Sequence, residues 1–207
     1  MNKLAAVLAV VFLAVGSSNL ACAQTGDFWF NAGESILSSP GLGSEQTFGG
    51  TSHDIQLTNG FRFGFRFGFN IGDHLGAEVG YAYNRTQLQF NTATAGVPPG
   101  TQEGMAFHQV GFNGMYYLTA DRDKIRPFVT AGIHFDNFVP PGSSLYGGGS
   151  TKFGANFGGG VKFHIHGIWG GRIDVREYVN GKPSFGFLDN SGALWQTEVS
   201  AGVGIGF

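Results

Sequence analysis

The chain has 207 residues, of which 13% are charged and 14% aromatic, with a formal net charge of −2. Soluble globular proteins carry about twice that share of charge, and a chain this close to neutral has no electrostatic footprint for nucleic acid. Its 36 glycines stand beside only 7 prolines, which excludes collagen-like and Pro-rich linker classes.

Residues 1–23 read as a secretory signal peptide. Lys3 supplies the basic start, Leu4 to Val15 an apolar core, and Ala21-Cys22-Ala23 a small-x-small cleavage pattern that leaves Gln24 as the mature start. The core is too short to span a bilayer as a helix. The only cysteine, Cys22, would leave with the signal. A lipoprotein cut before Cys22 is the competing reading, with Asn19 standing where lipoboxes usually have Leu. The remaining segment, 24–207, is long enough for one domain and short for two.

From Phe28 onward the pattern has period two, the signature of strands with two unlike faces. In Phe28 to Ile36, Phe28, Phe30 and Ala32 share one face and Trp29, Asn31 and Gly33 the other. From Ile55 to Ile71 the odd positions are mostly large and apolar, with an unbroken ladder at Phe61, Phe63, Phe65, Phe67 and Phe69. Arg62, Gly64, Arg66 and Gly68 alternate with it. After a turn at Gly72 to His74, Leu75, Ala77, Val79, Tyr81 and Tyr83 continue the apolar face, opposite Glu78. A three-residue turn would pair Ile71 with Leu75, Phe67 with Val79 and Phe63 with Tyr83, so that the apolar faces coincide.

Further strands follow at Ala106 to Leu118, Ile125 to Phe135, Phe153 to Ile165, Trp169 to Val179 and Trp195 to Phe207. A turn at His166 to Ile168 would pair Ile165 with Trp169 and Lys162 with Arg172. That makes eight strands. Connections are long near 38–53, 91–103, 138–150 and 180–193, and short at 72–74, 119–124 and 166–168, the asymmetry of transmembrane barrels with short periplasmic turns and long extracellular loops.

Polarity decides which face points out. The lumen of an eight-stranded barrel is only wide enough for side chains to fill. Five phenylalanines from one strand would overfill it, whereas glycines with a few long polar chains fit. The apolar face therefore meets lipid, and the barrel must close because unpaired backbone groups are costly in hydrocarbon. Tyr116, Ile165, Trp169 and Phe207 near the turns, with Tyr81 and Tyr83 above, match interfacial girdles. The expected fold is all-β: an eight-stranded antiparallel up-and-down transmembrane β-barrel. A secreted β-sandwich burying the same apolar faces is the alternative.

The segment Ser200-Ala201-Gly202-Val203-Gly204-Ile205-Gly206-Phe207 resembles the terminal assembly signal of outer-membrane proteins. Together with 126–132, 154–163 and 172–176, it makes the chain similar to the OmpA/OmpX-type outer-membrane β-barrel family. The resemblance implies a Gram-negative cell envelope, outer-membrane lipid around the wall, and recognition of Ser200, Gly202, Ile205 and Phe207 by the barrel-assembly machinery during insertion. OmpA continues into a peptidoglycan-binding domain where this sequence stops, so wall anchoring is not carried over.

The inward charges are Arg62, Arg66, Glu78, Arg126, Asp136, Lys162, Arg172, Asp174, Arg176 and Glu198. Buried charges must be paired, so these read as a lumen network, with a narrow ion path as the second reading. Counted from the turns, Glu78, Lys162 and Arg172 fall at one height, with Arg66 and Asp174 above. His134 shares a face with Asp136, and His108 lies outward near the loop rim. No Ser–His arrangement accompanies them as acyl transfer would need, so no catalytic residue is assigned. His164 and His166 lack Cys or carboxylate companions for a metal. Gly154 to Lys162 lacks the ending of a phosphate loop, and no cofactor is expected. The loops, rich in Gly, Ser, Pro and Thr, carry no basic cluster; any extracellular ligand would be met by them. The expected role is structural or surface-interacting, with a channel second and a lipid-modifying enzyme third.

Overall fold

The computed structural model describes residues 24–38, 40–45, 55–91, 93, 97–121, 123–142, 147–185, 188–189 and 192–206. The expected signal peptide and Phe207 lie outside them. Eight long strands make the wall: β1 (Gln24–Ser38), β4 (Gly60–Ile71), β5 (Leu75–Phe90), β6 (Gln102–Tyr117), β7 (Ile125–Val139), β8 (Ser150–His166), β9 (Trp169–Gly181) and β11 (Ala193–Gly206). Three short ones, β2 (Gly41–Glu45), β3 (Ile55–Leu57) and β10 (Leu188–Asp189), extend the sheet at the loop end. Each long strand pairs antiparallel with its chain neighbour, and β1 pairs with β11, so the ring is closed.

The first turn has the expected register: Ile71 faces Leu75, Phe67 faces Val79 and Phe63 faces Tyr83. Gly72, at φ 68°, takes the left-handed conformation that the reversal needs. The turn between β8 and β9 differs from expectation. It has two residues, Gly167 (φ 61°) and Ile168, and closes on His166 facing Trp169. A bulge between His164 and His166 absorbs Ile165, so Ile165 does not pair with Trp169. Lys162 still faces Arg172, because the bulge lies between that pair and the turn.

Through most of the wall the apolar face points out. Phe28, Phe30, Phe65, Val79, Ile133, Phe157 and Ile173 are exposed, and Phe28 and Phe30 pack beside Phe65 with ring centroids 5.8 and 5.5 Å away. Toward the loop end the outward residues become polar: Glu34, Arg85, Asn137 bonded to Thr151 (3.1 Å), and Thr197 bonded to Glu177 (2.7 Å).

Above that belt the faces exchange character. The strand expected from Ile55 to Ile71 is interrupted at Thr58-Asn59. Leu57 faces Leu88 and Phe61 faces Arg85, so four steps on one strand oppose three on the other. One extra residue flips the face: Phe61 points out, whereas Ile55 and Leu57 point in and are buried. Thr86 Oγ1 donates to the Thr58 carbonyl, and Asn59 Oδ1 accepts from the Leu37 amide at 2.9 Å, which holds the bulge in place. Ile55 and Leu57 join Leu37, Leu88, Phe90, Met105, Phe107, Phe138 and Leu194 from the strand ends in one buried apolar cluster. Leu42 of β2 and Phe185, from segments expected to be loop, cover it, and Val97 packs against it. The expectation that the apolar side always faces outward fails here, because this end stands above the lipid and needs an ordinary core.

Candidate functional site in the lumen

The inward face of each strand carries polar side chains in layers. Near the middle, Arg172 on β9 places Nε and Nη2 on the two oxygens of Asp174 (2.6 and 2.9 Å) and Nη1 on Glu78 of β5 (2.6 Å). Arg176, one inward position beyond Asp174, lies 2.9 Å from Glu78 and donates to Asp174 Oδ1 at 3.1 Å. From β4 opposite, Arg66 reaches Asp174 (2.8 Å) and Glu198 of β11 (2.5 Å). Arg62 reaches Glu198 at 3.1 Å. Four guanidinium groups thus share three carboxylates, all buried.

Neutral groups complete the cage. Tyr178 and Ser200 donate to Glu198 at 2.7 and 2.5 Å. Arg62 spends its remaining donors on Gln109 (2.5 Å) and Asn84 (3.3 Å). Gln196 continues the chain to Ser35 (2.7 Å) and Asn84 (3.2 Å). Higher still, His134 lies fully buried with Nε2 3.5 Å from Asp136, and Asn180 donates to the same carboxylate. His134 fits because its facing residue is a glycine: a Cβ on Gly154 would fall 2.5 Å from the ring. The gaps between Arg62, Arg66, Glu78 and Glu198 amount to about 20 and 10 Å³, room for a single water at most.

Lys162 does not join this layer. Its ammonium bonds Asp27 (2.5 Å) and the Tyr117 hydroxyl (2.7 Å), nearer the turns. Arg172, although adjacent to it in the sheet, turns to Glu78, and the rings of Trp29 and Phe128 lie 5.9 and 4.8 Å from its guanidinium carbon. Glu78 and Arg172, set level with Lys162 by residue counting, bond each other, whereas Lys162 turns to Asp27 and Tyr117. Arg126 lies lower too, stacked 3.8 Å from the Tyr117 ring and paired with Asp121 at 2.5 Å. Asp27 was missed because the first strand was expected to begin one residue later; the parity of Trp29 and Asn31 would have found it. Below this layer a cavity of about 530 Å³ opens at the turn end, lined by Asp27, Trp29, Arg126, Lys162 and Trp169.

Of the residues in the expected assembly signal, Ser200 points into the lumen and Gly202 packs against Asn31, while Ile205 pairs with Phe28 at the wall's lower edge.

A closed barrel with an apolar wall and an ionic lumen is the architecture that a lipid bilayer demands of a spanning sheet. The model of the outer membrane protein beta-barrel domain matches residues 6–207. The chain belongs to that family.

Among solved structures it is similar to OprG of Pseudomonas aeruginosa, with TM-score 0.59 and 13% identity over 88% of this chain and 96% of that one. The N-terminal barrel of OprF from the same organism gives 0.53 and 14%, over 89% and 97%. Ail of Yersinia pestis, solved with the heparin analogue sucrose octasulfate, gives 0.51 and 14%, over 90% and 100%. At these identities the likeness is one of fold. No curated protein matches the sequence. In an outer-membrane barrel the end with short turns and both strand termini is periplasmic, so the apolar cluster stands on the extracellular side.

Proposed function

We propose that this outer-membrane barrel is a non-enzymatic structural and surface-interaction protein whose extracellular loops make its contacts. The observation that carries the reading is the filled lumen: interlocked charges across the middle and an apolar cluster above them. A conducting path would need both to open. Breaking the middle layer exposes unpaired charges at several kcal/mol each, so the network favours a fixed plug over a gate. The upper cluster gives the loops a rigid seat, as loop-borne recognition on a scaffold requires.

Against catalysis stand the surroundings of the two candidate histidines. His134 is shut inside against Asp136 and Tyr178, and His108 is bonded to Tyr81 on the lipid side. Ail is a fold relative solved with a sulfated sugar, but the loops here lack the basic cluster that such a ligand needs. The matching chemistry is contact through Gly, Ser, Pro and Thr surfaces. We assign residues 1–23 to the cleaved signal, and Ser200, Gly202, Ile205 and Phe207 to recognition by the assembly machinery.

Single-channel recording in a planar bilayer tests the reading. The expected record is flat at physiological voltage. Steady conductance altered by Arg66→Gln or Glu78→Gln would establish a channel instead. Hydrolysis or acyl transfer on lipid A by purified protein, lost with His134→Ala, would establish an enzyme.

A further inference from the structure

Arg85 is the one Lys or Arg of the described strands that lies on the outward face. The others on those strands, Arg62, Arg66, Arg126, Lys152, Lys162, Arg172 and Arg176, occupy inward positions. Arg85 is exposed and has no ion pair among the described residues. In the same outward row stand Phe61 of β4 and, one strand further, Glu34 of β1. Glu34 is thus the nearest outward acid in that row, with the Phe61 ring between.

The height of Arg85 is informative. Ten residues separate it from Leu75 at the periplasmic turn, which at about 3.3 Å per residue and a tilt near 40° is roughly 25 Å, the full height of a barrel's apolar band. A cation on the lipid face is costly at mid-bilayer and nearly free at the interface. The side chain also leans the right way. Its guanidinium rests over Gly104, two positions beyond the facing Ala106 toward the extracellular side, and a Cβ on Gly104 would fall 2.3 Å from Nη2. The apolar stem thus follows the wall while the head snorkels to the surface. Just below, Tyr81 hydroxyl and His108 Nδ1 are 2.7 Å apart, and the Tyr83 ring meets His108 at 5.4 Å. Gln87 stands above on the same face.

We infer that Arg85, seated over Gly104 and flanked by the Tyr81–His108 pair and Gln87, docks the phosphate of a phosphorylated glycolipid of the outer leaflet. A guanidinium matches a phosphate with two parallel hydrogen bonds. The polar groups on either side suit the sugar oxygens of such a headgroup. The extracellular height selects the outer leaflet, and the site is independent of what the loops bind.

The test is native mass spectrometry of the refolded barrel in neutral detergent with diphosphoryl lipid A, dephosphorylated lipid A, phosphatidylglycerol or inorganic phosphate. Wild type should retain diphosphoryl lipid A in preference to the other three. Arg85→Gln should weaken that retention about tenfold, the worth of one charge-assisted hydrogen bond. Gly104→Val keeps the charge but removes its seat, and should give an intermediate loss. Lys124→Gln deletes the same charge at the periplasmic end and should change nothing. All variants must show the folded band on unboiled gels. Equal retention by wild type and Arg85→Gln, or an equal loss in Lys124→Gln, overturns the site. Equal binding of phosphatidylglycerol or of free phosphate overturns the glycolipid assignment.

Discussion

The barrel contains two cores built on opposite rules. Between the turns and the belt at Glu34, Arg85 and Asn137, the outside is apolar and the inside holds Arg66, Glu78, Arg172, Asp174, Arg176 and Glu198. Above the belt, Gln87 faces out, while Leu88, Phe90, Phe107 and Phe138 fill the centre. The same strands run through both regions without leaving the sheet. What changes is the solvent outside. Where it is hydrocarbon, no hydrophobic gain comes from filling the centre with apolar groups, and a narrow lumen can be closed by paired charges. Where it is water, apolar burial becomes the available driving force at about 25 cal/mol per Å².

The contrast predicts different failures. Asp174→Ala removes the carboxylate that meets Arg66, Arg172 and Arg176, leaving four buried guanidinium groups to share only Glu78 and Glu198. The expected loss is about 3–5 kcal/mol, read as a lower urea midpoint for unfolding from lipid vesicles and a smaller folded fraction on unboiled gels. A midpoint unchanged from wild type would mean that the lumen is hydrated enough to carry loose charge.

Leu88→Ala tests the upper core. Leu88 is wholly buried, and truncating such a residue costs about 2–5 kcal/mol. The loss should be confined to the extracellular end: faster proteolysis of the loops, with the membrane-embedded wall still heat-modifiable. Global unfolding in Leu88→Ala would show that the two cores form one cooperative unit.

The lower core was far more legible than the upper one. Period-two alternation places Arg62, Arg66, Glu78, Arg172, Asp174, Arg176 and Glu198 on inward faces without any structure. Their partners were not readable, since pairing depends on strand tilt and on side-chain reach across the lumen; Lys162 choosing Asp27 over Glu78 is the example. Neutral members such as Tyr178, Gln109 and Asn84 carry no charge to mark them. The upper core was hidden for two reasons. A single extra residue at Thr58-Asn59 turns Ile55 and Leu57 inward, against the parity of the Phe61 to Phe69 ladder. Leu42 and Phe185 sit in stretches whose Gly, Ser and Pro content reads as loop, although their side chains complete a core.

The smallest expected effects come from one pair of substitutions that locates the boundary between the two regions. Val79 and Gln87 are both outward on β5, eight residues apart. Val79→Lys puts an ammonium on the wall well within the apolar band and should cost about 2–4 kcal/mol; Gln87→Lys lies above the belt and should cost about 0–1 kcal/mol. Urea unfolding from vesicles reads both. The gradient has a sign that a water-surrounded barrel would not reproduce, because there both positions face the same solvent and both substitutions fall within about 0.5 kcal/mol. Equal costs at the two positions would therefore remove the boundary at Arg85. With it would go the argument that the protein changes from a lipid-facing wall to a water-facing core along a single strand.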